Sequence, residues 1–150
     1  MLNIRPFFLS DIDSILQIEN QSFPKSPYDW ATFFNLHSLY PETFLVYVNP
    51  NPVHRQEGIW GYIIFTLEGH IISIAVHPQH RRKGIGRELL QQAMKNSHLK
   101  KIWAEVRRSN QGAQAFYSKM GFQIVGWVPN YYGNEDALIV QWTPAMGKSV

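Results

Sequence analysis

Cysteine is absent from the 150 residues. Disulfides, thiolate metal sites and a cysteine nucleophile are therefore excluded. No apolar run reaches the roughly 18 residues of a membrane-spanning helix, so no membrane partner is expected. The first residues, Met1-Leu2-Asn3-Ile4-Arg5-Pro6, lack the apolar stretch and cleavage site of a secretory signal. Charged residues are only 17% of the chain, too few for a disordered polymer. The 45% of apolar residues can fill a sizeable core. A single domain over 1–150, in the cytoplasm, is the expectation. Several chemical signatures are missing as well. His77 and His80 lie three apart in a loop, without an H-E-x-x-H frame, so no metal is expected. No G-x-S-x-G elbow of a serine hydrolase occurs.

What charge there is falls unevenly. The net charge is +3. Yet Arg81, Arg82, Lys83, Arg87, Lys95, Lys100, Lys101, Arg107 and Arg108 crowd into one stretch, with only Glu88 and Glu105 against them. Such an excess attracts a polyanion, either a phosphorylated cofactor or a nucleic acid. A solvated helix face would account for several of these residues whatever the function.

The hydrophobic pattern gives the order β-α-α-β-β-β-α-β-α-β-β. A first strand covers residues 2–6. Ser10 suits a helix N-cap, with Ile12, Ile15, Leu16 and Ile18 as the apolar face to about Gln21. Phe23-Pro24-Lys25-Ser26-Pro27 interrupts the chain. A second helix is expected over 28–39, with Trp30, Phe33 and Phe34 inward. Strands follow over 43–48 and 59–67, separated by a turn at 49–52. The run Ile71–Val76 is apolar except for Ser73, as in a strand covered on both faces. A helix over 84–97 turns Ile85, Leu89, Leu90 and Ala93 inward. A strand over 102–107 precedes a helix over 111–120 that Gly121 stops. Strands over 122–128 and 137–142 complete a mixed α/β domain, with helices on both faces of a twisted central sheet.

The segment from His77 to Arg87 joins a buried strand to an amphipathic helix. Gly84 and Gly86 let backbone approach a ligand closely. The first amides of a helix have no partner within it, and its dipole favours an anion, so a pyrophosphate fits there. The spacing is not the G-x-G-x-x-G of dinucleotide folds, and the Gly-Lys-Ser/Thr ending of a P-loop is missing.

A second informative segment is Trp103-Ala104-Glu105-Val106-Arg107. Alternation puts Glu105 on one strand face with Trp103 and Arg107. An acid in mid-strand is either paired with an arginine or a proton acceptor. Tyr117 recurs at helical spacing with Ala113, Phe116 and Met120, as an ordinary core aromatic would.

Arg81-x-x-Gly84-x-Gly86 resembles the Q/R-x-x-G-x-G/A coenzyme A signature of the GNAT superfamily. Ile74-Ala75-Val76-His77-Pro78, with Arg82-Lys83-Gly84-Ile85-Gly86-Arg87, resembles the RimI branch, which acetylates protein N-termini. Glu-Val-Arg, Ser109-Asn110, Tyr117 and Gly121-Phe122 continue that likeness to about Trp142. The resemblance implies the GNAT fold, with a mostly antiparallel sheet, and an acetyl-coenzyme A-dependent N-acetyltransferase. It implies that Ile74, Ala75 and Val76 hold the pantetheine arm by their backbone, like an added strand. Arg81 belongs to the signature, and the backbone from Arg82 through Lys83, Gly84, Ile85 and Gly86 to Arg87 would hold the diphosphate. Glu105 becomes general base, Tyr117 general acid, and Asn110 a contact to the cofactor arm.

Glu19, Phe23, Pro24, Tyr131 and Tyr132 resemble the loops that flank the acceptor amine in N-terminal acetyltransferases. The 130–137 loop is shortened, and Lys25-Ser26-Pro27-Tyr28 departs from the usual pattern. The expected acceptor is a protein or peptide N-terminus, with a ribosomal protein among the candidates. Lysine side chains and polyamines are the alternative acceptors. A monomer or weak homodimer is expected. A nucleic-acid binder is a less favoured reading, and a non-catalytic acyl-coenzyme A sensor is another.

Overall fold

A computed structural model describes residues 3–51, 58–95 and 99–144. Leu2, Pro52 and residues 96–97, which fell within expected elements, lie outside them. The chain divides into two compact units, Met1–Thr66 with Ile72–Lys95, and Leu67–Ile71 with Asn96–Val150. Among the described residues, no helix is long and apolar enough to cross a membrane.

The first unit carries β1 (Ile4–Pro6), β2 (Phe44–Val48), β3 (Ile59–Phe65) and β4 (Ile71–Val76), hydrogen-bonded in the order β1-β2-β3-β4. Its helices are α1 (Ile12–Ser22), α2 (Trp30–Leu39) and α3 (Ile85–Met94). Neighbouring strand residues point to opposite faces, and β3 shows what each face meets. A Cβ on Gly61 would meet Ile85 and Leu89 of α3 at 3.2 Å. The hydroxyl of Tyr62 instead bonds Glu19 of α1. Helices thus cover both faces of this sheet. Phe7, Ile15, Ile18, Phe33, Phe44 and Ile64 fill the α1 side. Each such side chain is worth about 1.5–3 kcal/mol of burial.

The second unit carries β5 (Ile102–Arg107), α4 (Gln111–Lys119), β6 (Gln123–Val128) and β7 (Ala137–Trp142). Its strands are antiparallel in the order β5-β7-β6, with Glu105 opposite Ile139. The strands therefore form two hydrogen-bonded sheets, of four and three strands.

Three local expectations need correction. Ser10 caps no helix: a 3-10 turn covers Leu9–Asp11, and Asp11 precedes α1. The Asp11 carboxylate takes the Phe8 amide at 2.8 Å and the Arg5 guanidinium at 2.8 Å, which fixes the entry in place of a serine cap. Trp30 and Phe34 do not face inward. Asp29 caps the helix through the Thr32 amide at 2.9 Å, so that it starts at Trp30, two residues later than expected, and Phe33 takes the core position. Trp30 and Phe34 then share the outer face, one turn apart and stacked at 5.2 Å. Finally, β4 is only partly covered, with Ile71 and Ala75 buried and its other residues half-buried. Among the described residues it is the last strand of its hydrogen-bonded sheet, which leaves that sheet an open edge.

Candidate active site

In the first unit the candidate cradle follows the open edge of β4. A 3-10 turn at Pro78–His80 leads to Arg82 and Gly84, with φ of 64° and 82°. Both lie in the left-handed region, which glycine enters without cost but arginine does not. A Cβ on Gly84 would meet nothing within 4 Å, so its outer side is open. The Glu88 amide bonds the Gly84 carbonyl at 3.0 Å. The amides before it precede the helix's first internal bond and can face an anion. Arg82, Lys83 and Arg87 are exposed beside them.

Arg81 is placed differently. Its Nε donates to the Val76 carbonyl at 3.0 Å and its NH2 to Ser22 Oγ at 3.2 Å. It braces the loop against β4 and α1. His80 stacks on Trp60 at 4.0 Å, and Lys83 Nζ lies 4.9 Å over the same indole. Partial burial, then the charge of Lys83 and then His77, lower the His80 pKa. An uncharged imidazole keeps its place in that stack. These contacts build the loop in advance, as a diphosphate site requires.

The acceptor-loop residues of this unit separate. Phe23 packs on the core and Pro24 is exposed. Glu19 is 2% exposed and both its oxygens are taken, one by the Tyr28 amide at 3.0 Å and one by the Tyr62 hydroxyl. Its pKa is raised, chiefly by burial, against the lowering effect of those two donors.

In the second unit, β5 alternates as expected, with Ile102, Ala104 and Val106 buried and Trp103, Glu105 and Arg107 half-buried. The arginine partner considered for Glu105 is engaged elsewhere: Arg107 NH1 donates to Glu135 Oε1 at 2.8 Å. Glu105 instead meets a residue that the sequence did not single out. His70 Nε2 lies 2.7 Å from Glu105 Oε1. Against an ionised carboxylate, that nitrogen carries the proton. The His70 ring lies parallel to Trp103, 5.2 Å away and tilted by 8°, which fixes its plane.

Gly69 makes this possible. Its φ is 105°, and a Cβ there would stand 2.1 Å from the Lys101 carbonyl oxygen. The Trp103 amide bonds the Gly69 carbonyl at 3.0 Å. A Gly-His pair before an apolar run was the available signal in the sequence.

The Tyr131 hydroxyl approaches the same oxygen of Glu105 from 3.4 Å, which is long for such a bond. Both contacts fall on Oε1, and none falls on Oε2 among the described residues. Tyr117 is buried on α4 between Phe116 and Phe122. Burial, then the charge of Glu105 and then Tyr132, raise its pKa well above that of free tyrosine. It therefore stays protonated and can donate. Tyr132 lies under the Arg107 guanidinium at 4.1 Å, and Glu135 holds Ser109 through its amide at 3.1 Å. Asn110 caps α4, its Oδ1 accepting the Ala113 amide at 3.0 Å.

The acetyltransferase (GNAT) family model matches residues 12–122, which run through parts of both units. The chain belongs to the GNAT acetyltransferase family. It is 33% identical over 142 residues to a putative ribosomal protein bS18-alanine N-acetyltransferase of Bacillus subtilis, covering 91% of this chain and 92% of that protein. It is 32% identical over 151 residues to an N-alpha-acetyltransferase of Sulfurisphaera tokodaii, covering 91% and 90%. The crystal structure of Ard1 from Thermoplasma volcanium superposes with a TM-score of 0.82 at 29% identity, covering 93% of this chain and 95% of that one. This GNAT protein is accordingly an acetyl-coenzyme A-dependent N-acetyltransferase. The open amides before Glu88, the bare side of Gly84 and the exposed Arg82, Lys83 and Arg87 fit the diphosphate of that molecule.

Proposed function

We propose that this enzyme acetylates the α-amino group of a protein or peptide N-terminus, with Glu105 as general base and Tyr117 as general acid. The observation that carries this reading is the state of Glu105. It is half-buried, held on one oxygen by His70, with the other oxygen left for an incoming proton. Bound acetyl-coenzyme A supplies an acetyl group activated as a thioester. Ile74, Ala75 and Val76 offer backbone along the open edge of β4 for its arm, and the Arg82–Arg87 backbone holds its diphosphate.

A protonated amine has no lone pair with which to attack. Glu105 Oε2 accepts its proton, directly or through one water. His70, donating to Oε1, holds the carboxylate in orientation. Tyr117, kept protonated by its surroundings, donates to the departing thiolate. An α-amino group titrates near ~7.7–8.0 and a lysine near ~10.4, so one carboxylate serves the former better at neutral pH.

Phe23 and Pro24 in the first unit, and Tyr131 and Tyr132 in the second, are each candidates for acceptor contact in this reading. The relatives named for N-alpha and ribosomal-protein acetylation support that choice, and a ribosomal protein is a candidate acceptor. The family match across both units supports one working domain. An acceptor screen tests the proposal, using peptides with free N-termini, blocked peptides carrying lysine, and polyamines. Turnover confined to free N-termini is expected. Preference for blocked lysine peptides or polyamines would overturn it.

A further inference from the structure

Glu19 takes no part in the chemistry above, yet its position is unfavourable for a merely structural residue. Burial removes the hydration of a carboxylate. Glu19 also lies near the C-terminal end of α1, where the helix dipole repels negative charge. An apolar side chain of similar size would avoid both penalties. What a carboxylate supplies instead is two strong acceptors at once. One takes the backbone amide of Tyr28 at 3.0 Å, and the other takes the Tyr62 hydroxyl. That hydroxyl lies 2.9 Å from Ser73 Oγ on β4. The bonds tie α1, β3 and β4 to the point where the 23–28 turn re-enters the fold. Residues 24–27 of that turn are exposed, and the Ser26 amide reaches the Phe23 carbonyl at a long 3.2 Å. The Tyr28 amide, at 3.0 Å from Glu19, is one anchor of that turn.

We infer that Glu19 is a positioning residue that sets the acceptor turn through the Tyr28 amide, while the Tyr62 and Ser73 hydroxyls hold its carboxylate in place. The inference rests on the reading of residues 23–28 as part of the acceptor site. Glu19 then shapes acceptor binding without touching the acceptor.

Two variants separate this role from simple packing. Glu19→Met keeps the volume and removes both acceptors. Glu19→Gln can offer its oxygen to the Tyr28 amide and its NH2 to the Tyr62 oxygen, leaving the tyrosine proton for Ser73. In Glu19→Met the acceptor KM should rise about tenfold, as expected when a buried amide loses its partner. Turnover should stay within about twofold of the parent, with coenzyme A affinity unchanged, because the energy lost is acceptor binding alone. Amide exchange at Tyr28 should accelerate about tenfold in the same variant. Glu19→Gln should restore all of these readings. Parent-like exchange and KM in Glu19→Met would overturn the inference. So would a joint loss of acceptor and coenzyme A affinity, or faster exchange with an unchanged KM. If the parent acetylated no N-terminus, the acceptor assignment would fail by itself, and unchanged Tyr28 exchange would still show that Glu19 tethers nothing.

Discussion

The two units each hold a glutamate inside a network of donors, and they use it in opposite ways. Glu19 in the first unit is sealed, with one donor on each oxygen. Glu105 in the second is half-buried, with His70 and Tyr131 both on Oε1. A closed network fixes backbone and leaves no acceptor site for a substrate. An open one keeps a lone pair for a substrate. The same residue type thus becomes a tether or a base according to how many of its acceptor sites the protein has filled.

The largest effect expected from breaking this contrast is at the open site. Glu105→Gln preserves shape and removes the base. Its kcat/KM should fall by about 10²–10⁴, the usual worth of a positioned base, while its melting temperature stays near the parent's. Steady-state kinetics beside a thermal melt would check this. A variant with near-parent rates would take Glu105 out of the mechanism.

A smaller effect, and one on stability first, is expected at the residue that brings His70 to Glu105. Gly69→Ala must place a methyl against the Lys101 carbonyl and adopt a positive φ. The strain should cost about 3 kcal/mol. That corresponds to a melting temperature roughly 6–12 °C lower for a chain of this size. Calorimetry measures it directly, and an unshifted transition would show that the approach of Gly69 to Lys101 is not required.

The smallest effect belongs to the sealed acid. Burial raises the Glu19 pKa in the folded state. Its contribution to stability is therefore fully present below the unfolded pKa of about 4.3 and is lost as pH rises through the folded value. Glu19→Gln has no such titration. Melting temperatures from pH 4 to 8 should move in favour of Glu19→Gln as pH rises. A parallel pair of curves would show that Glu19 titrates normally.

How much of this was legible in the sequence follows from the range of each interaction. Gly84 and Gly121 were readable because local backbone needs decide them. Gly121 has φ of 90° just after α4, and its amide closes on the Ser118 carbonyl. The alternation of β5 was readable for the same reason, and it put Glu105 on the right face. The outer face of α2 was not readable. Its sequence is apolar on most sides, so periodicity could not choose between Phe33 and the Trp30–Phe34 pair. The entry into α1 was missed because Arg5 competes for Asp11 across the turn. His70 and the sealing of Glu19 depend on partners 35 and 43 residues away, and no local pattern announces either.

The most direct test compares pH–rate profiles of kcat/KM for the parent, Glu105→Gln and Glu19→Gln on one free-amine peptide. A changed acid limb in Glu105→Gln, together with a parent-like profile in Glu19→Gln, is the predicted result. An acid limb that moves with Glu19, or that survives intact without the Glu105 carboxylate, would contradict the division of labour between the two acids.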